Sequence, residues 1–301
     1  MTATTSPRPA AATGAARPEP RSGLRRIAAR FLANKVALAA AIVLALLVVA
    51  TVLAPWLSPA DPSAQDLSAR NQGPSGEHWL GTDAFGRDVL SRLLYAGRVS
   101  LTAAAVAAAV AAAIGVPLGL LAGYLGGRID SLLGRFVDAM MSVPNMVLVF
   151  AIIGALGPGL TQSMVSFGVV SSPIFFRLCR AIASDLRGET FILASRAIGC
   201  SPARILGVHI LPNASAALLV QLSFMIGLAI VAEASLSFLG LGVRVPQASW
   251  GSMTREAFDG IYTNQWLVFP PAIMITVTIL CFSLIGDGLR DALGRNQGGK
   301  A

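Results

Sequence analysis

The chain has 301 residues, of which 54% are hydrophobic and only 13% charged, about half the charged share of a soluble domain. Its formal net charge is +8, but aromatic residues are few and the basic residues stand between long uncharged runs, so the charge reads as a membrane-topology signal and not as a nucleic-acid surface. Three scattered cysteines, Cys179, Cys200 and Cys281, have neither the spacing of a metal site nor the number for a disulfide framework.

In chain order, residues 1–35 are rich in Ala, Pro, Thr and Arg, the composition of a disordered tail. Residues 36–57 carry no charge and make a first span. A cleaved signal peptide would have a shorter apolar core, about 7–15 residues, so an uncleaved helix is favoured. Residues 58–98 follow as a polar segment on the far side, where "LGTDAFGRD" brings Asp83, Arg87 and Asp88 together. Arg87 is expected to pair with either acid and to fix the approach of the next helix; a solvated ion pair of at most about 1 kcal/mol is the plainer reading.

The second span is expected near 99–124, with Gly115, Pro117 and Gly119 as a candidate kink. Between Asp138 and Arg177 lie 38 uncharged residues. As one helix they would measure about 57 Å, nearly twice the bilayer core. "GPGLTQS" (157–163) divides them into a third span and a fourth, the latter about 161–177. Residues 214–240, apolar except for Glu233, and 266–286, uncharged, complete six spans. The fold class is therefore all-α integral membrane, since alternating ten-residue strand patterns are missing.

With the N-terminus inside, Lys and Arg number seven, two, five and three in the successive inner segments and four and two in the outer ones. That bias places both termini in the cytoplasm. It also places there "ASRAIGCSPARILGVHILPN" (194–213), which belongs to the inner segment with five. Phe191, Ile192, Ala194, Ala197 and Ile198 fit one short amphipathic helix. Gly199 suits a left-handed turn, Ser201 and Pro202 a new helix start, and Ile205, Leu206 and Val208 a second short helix. Pro212 is expected to open the fifth span. A connector lying on lipid and a knob docked into a cytoplasmic partner are both compatible with this pattern. Glu233, a mid-membrane carboxyl, must face protein or water. A hydrogen-bond anchor, to a partner chain or to the broken backbone at 235–240, fits better than a proton relay, because no His or Asp accompanies it.

The spacing Ala194-Ser195, Gly199, Leu211-Pro212 resembles the EAA loop of ABC importer permeases. Leu193 stands where that family often has Glu, Ser195 replaces its second Ala, and His209 falls on the usual Ile. "HWLGTDAFGRDVLSRLLYAGRVSL" (78–101), "GLLAGYLGGRIDSLLGRFVD" (119–138), "EASLSFLGLGV" (233–243), "SWG" (249–251) and "GDGLRDAL" (286–293) are similar, in order, to the C-type permease of dipeptide, oligopeptide and nickel importers. The resemblance covers about residues 25–295.

It implies a type I importer-like permease in the cell membrane with a five-helix core, 99–290, a coupling loop, 184–212, and a cytoplasmic tail, 291–301. Ala194, Ser195, Arg196, Ala197, Gly199, Ser201, Pro202, Arg204, Leu211 and Pro212 would meet an ATPase. Asp83, Arg87 and Asp88 would serve the outer gate or a solute-binding protein. The implied partners are a second homologous permease, two cytoplasmic ATPase subunits, the solute-binding protein and lipid. No cofactor is expected on this chain; ATP and Mg belong to the ATPases, because Lys35 follows Asn34 and Lys300 precedes Ala301, so neither lysine sits in a P-loop. Competing classes are a self-sufficient secondary transporter, which would add buried ionisable groups or an inverted repeat, and an intramembrane enzyme, for which His78 and His209 lie on opposite sides. Short peptides are the expected cargo.

Overall fold

Asn34 opens the first membrane helix: its side-chain oxygen accepts the N–H groups of Val36 and Ala37, both at 3.2 Å, and an almost wholly Ala, Val and Leu stretch follows. The structure is a computed structural model that describes residues 20–294. Those residues form α1 (Pro20–Ala33), α2 (Lys35–Val52), α3 (Ala54–Leu57), α4 (Val89–Leu125), α5 (Gly127–Met141), α6 (Asn145–Leu156), α7 (Leu160–Leu186), α8 (Thr190–Ala197), α9 (Pro202–Phe238), α10 (Trp250–Asp259) and α11 (Phe269–Gly294). No strand occurs among them. Five helices are long and apolar enough to cross a membrane, or six if the bent pair α5 and α6 counts as one broken span.

The expected boundaries shift in five places. Part of the 1–35 tail is helix: α1 packs on α11, with Arg30 Nη1 donating to Ala292 O at 3.4 Å. Residues 1–19 of that tail, and 295–301 of the C-terminal one, lie outside the described residues. The first span stops at Leu53, where Pro55 restarts the chain as α3. The second span begins at Val89, not 99, because Asp88 caps it there. The third span is broken. α6 alone has 12 residues, about 18 Å at 1.5 Å per residue, and α5 meets it at 89° across Ser142–Pro144. Pro144 disfavours helical backbone in the residue before it, which accounts for the corner.

The fifth correction concerns the basic stretch. Pro212 does not open the fifth span; α9 runs from Pro202 to Phe238 without a break. A π-type turn at Ile205–Ile210 makes this possible, with the Leu211 N–H bonded to Leu206 O five residues back. Such a turn absorbs the bond that a proline cannot donate. What remains outside the helices between α7 and α9 is short, with α8 set in its middle.

α4 and α7 are the central pair. α4 stays helical through Pro117 and through its glycines Gly115, Gly119 and Gly123. They sit where a Cβ would strike the carbonyls of Ser172, Phe176 and Arg180 on α7, so the two backbones touch, as small residues allow in lipid. Ala104, Ala107, Ala108 and Ala111 continue the same buried stripe. α9 crosses both helices, α11 lies between α9 and α2, and α10 closes the end at which α4 begins. The structure thus has two ends: a cap end, with residues 58–88 and α10, and a loop end, with α8.

Candidate functional site

The loop end is built around Gly199. Its φ of +81° ends α8, and Ser201 then accepts the Arg204 N–H at 3.4 Å with Pro202 in the first turn, so the expected cap and restart are present. Ile192, Ser195, Ile205 and Ile210 are buried against the membrane helices. Ser195 donates to Phe191 O at 2.8 Å, and its oxygen lies 3.5 Å from His209 Nε2. The amphipathic faces differ from expectation. Phe191, Ala194, Ala197 and Ile198 are exposed, Ile198 at 81%, and so is Val208. Arg204, Gly199, Ser201, Pro202, Leu211 and Pro212 are exposed as well. The loop is therefore anchored by two isoleucine-bearing turns and presents apolar and basic side chains away from the bundle. Arg196 is exposed too, but it is also tied to the bundle: its Nε donates to Tyr124 Oη at 3.1 Å, and its guanidinium carbon lies 4.6 Å from that ring's centroid.

α5 flanks this end. Arg180 Nη2 on α7 donates to Asp130 Oδ2 at 2.8 Å, and Arg177 Nη2 to Asp138 Oδ1 at 2.8 Å. Both bridges hold α5 against α7, while Ile129, Leu132 and Phe136 stay exposed.

The cap end holds the triad Asp83, Arg87 and Asp88, but not as a solvated pair. All three are buried. Arg87 Nε donates to Asp83 Oδ2 at 2.7 Å and its Nη2 to Glu256 Oε2 at 2.9 Å. Arg92 joins Asp83 and reaches Glu256 at 2.7 and 3.1 Å. Two arginines and two carboxylates thus close a neutral cluster between α4 and α10. Asp88 does not pair with Arg87. It caps α4 by accepting from Ser91 N and Oγ, both at 2.8 Å, and meets His78 Nδ1 at 2.9 Å. Burial by itself would raise the Asp83 carboxyl. The Arg87 N–H, the Arg92 charge, the Phe85 N–H and the Arg87 charge outweigh it and hold the group below its usual 3.8. These three side chains build the cap from within, and Trp79, Phe85 and Leu67 are exposed large apolar groups in the same segment.

Glu233 lies between the two ends and is 1% exposed. It is an anchor, as expected, but within its own chain. Ser100 Oγ on α4 donates to Oε2 at 2.9 Å and Ser237 Oγ, one turn on, to Oε1 at 2.6 Å. Ser100 also accepts the Trp250 N–H at 3.1 Å, and Trp250 Nε1 donates to Leu93 O at 3.1 Å. The capping box of Ser249 and Ser252 starts α10, and Gly251 lets that turn press on the Ala234 backbone. Reading the sequence left out Arg92, Glu256, Ser100, Tyr124 and Trp250 as site residues. Arg92 and Ser100 lie within 78–101, Tyr124 within 119–138 and Trp250 within 249–251, so a signal existed for these four. Nothing local marks Glu256.

Comparison with known proteins bears on both ends. Residues 115–298 match the family model described as the binding-protein-dependent transport system inner membrane component, and residues 22–74 the N-terminal TM domain of oligopeptide transport permease C. The chain is 41% identical to the dipeptide transport system permease protein of Alkalihalophilus pseudofirmus over 86% of both chains. It is 40% identical to the glutathione transport system permease protein of Shigella flexneri over 88% of both. Its fold matches a chain of the inward-facing MetNI methionine ABC transporter with a TM-score of 0.55 at 20% identity, covering 67% of this chain and 97% of that one.

Proposed function

The chain belongs to the binding-protein-dependent transport system inner membrane component family, as a multi-pass permease of the ABC importer class with the type I fold. From that premise we propose that it imports short peptides, driven by ATP hydrolysed on two separate cytoplasmic ATPase subunits and supplied by an extracytoplasmic solute-binding protein. A second, homologous permease completes the path. The family assignment removes the self-sufficient secondary transporter as the rival reading. Peptide cargo is supported by relatives whose names specify dipeptide and glutathione transport. The loop end is placed in the cytoplasm by the basic-residue bias, and the cap end outside.

One observation supports the driven-permease reading more than any other: α8 and the turn at Gly199 are fixed to the bundle from within, yet present Ile198, Val208 and Arg204 outward. Gly199 has open space where a Cβ would go, so replacing it strains the backbone without a clash. A left-handed conformation costs an ordinary residue about 1–2 kcal/mol, and a β-branched one more. Gly199→Val is therefore expected to cut ATP-driven uptake in proteoliposomes while leaving the permease inserted and paired. Uptake by the wild-type protein should require both ATP and the binding protein. Uptake driven by an ion gradient alone, or wild-type uptake by Gly199→Val, would count against this reading.

A further inference from the structure

We propose that Tyr124 and Arg196 form a latch that feeds movement of the α8 loop into α4, so that α4 as well as α9 carries the stroke to the cap. The inference rests on the reading above, in which an ATPase grips this loop. Apart from its joint to α7 and the packing of Ile192 and Ile205 in the core, the loop has one route to α9 and one to α4. One is covalent: Pro202 begins α9, and the helix continues to Phe238. The other is the Arg196–Tyr124 contact, a hydrogen bond of 3.1 Å together with a guanidinium 4.6 Å from the ring centroid. Tyr124 is buried at the last turn of α4, so its ring has no room to follow a moving arginine by changing rotamer. Either the contact breaks or α4 moves.

α4 is suited to the second outcome. It has 37 residues in one helix, about 55 Å at 1.5 Å per residue, and is capped at its far end by Asp88. One turn beyond that cap Arg92 holds Glu256 of α10, and two turns further Ser100 holds Glu233 of α9 and the Trp250 N–H. α4 and α9 are thus joined twice, through the loop at one end and through Ser100–Glu233 near the other. In such a closed frame α9 cannot shift alone without rupturing one tie. Arg196 is then a positioning residue tied to its own bundle, and the surface left for the ATPase includes Ile198, Val208 and Arg204.

The test uses the full complex of both permeases, ATPases and binding protein in liposomes, with hydrolysis and uptake measured on the same sample. Tyr124→Phe keeps the ring and loses the hydroxyl, Tyr124→Leu loses both, and Arg196→Lys keeps charge but not the planar guanidinium. Tyr124→Leu is expected to lower uptake per ATP about tenfold, the combined worth of a cation–π contact and a hydrogen bond, with hydrolysis unchanged. Tyr124→Phe should recover part of the loss. Arg196→Lys combined with Tyr124→Phe should lose less than the two separate losses added together, because both act on one contact. A wild-type ratio in Tyr124→Leu, or hydrolysis and uptake falling together, overturns the latch. If Tyr124→Leu fails to assemble, the Phe and Lys pair decides, and strictly additive losses overturn it. A wild-type complex without ATP-dependent uptake would instead overturn the importer reading, and the latch with it.

Discussion

Glu233 is the residue at which the cost of the membrane is clearest. A carboxyl among apolar helices is expensive unless its oxygens are satisfied, and here each takes one serine hydroxyl. Removing the acceptor strands Ser100 and Ser237, and an unsatisfied buried donor costs about 1–3 kcal/mol. Glu233→Leu is therefore expected to lower the midpoint of thermal unfolding in detergent by several degrees. Glu233→Gln, which keeps one carbonyl acceptor, should lose less. Equal midpoints for the two variants would show that the hydrogen bonds matter little. The acid itself was legible, because one charge interrupts an otherwise apolar run. Its partner was not, since Ser100 lies 133 positions away and a single serine in a helix is ordinary.

At the scale of elements, apolar run length pointed to the five long apolar helices, but glycine and proline were harder to read. In α4, Gly115, Gly119 and Gly123 recur every fourth residue, which sets them on one face of a helix; that spacing marks a close helix contact, and a kink would not require it. Pro144 and Pro212 show the opposite difficulty. The first turns the chain by a right angle and the second leaves a helix intact, because Pro212 follows a π-type turn whose presence depends on the fold. The glycine stripe makes a sharp prediction. Gly119→Ala places a methyl group against Phe176 O of the α7 backbone, which cannot rotate away. Gly154→Ala in α6 meets nothing within 4 Å and gains about 1 kcal/mol of helix propensity. Monodisperse yield and unfolding midpoint should fall for Gly119→Ala and hold or rise for Gly154→Ala. A Gly119→Ala protein as stable as wild type would mean that α4 and α7 do not touch backbone to backbone.

For the whole molecule, ordered motifs along most of the chain made the family legible before any geometry, whereas the state of the cap depended on a partner that sequence does not reveal. Arg87 and Arg92 close on Glu256, 169 and 164 residues away, and this turns an apparent surface ion pair into a buried junction between the two halves of the chain. That junction should fail on acidification in a defined window. The Asp83 carboxyl is held below 3.8 in the folded protein, so the unfolded chain binds a proton there more readily than the native one. Its contribution is complete above about pH 4 and is lost as the pH falls through the lower, folded value. Tryptophan emission, to which the buried Trp250 beside this junction contributes, should stay flat from pH 7 to about 5 and change only below 3.8. Asp83→Asn should show the altered emission already at pH 7, because Arg87 and Arg92 then share one carboxylate. A transition complete above about pH 5 would place the acid sensitivity in other groups and would leave the four-charge junction without the role given to it here.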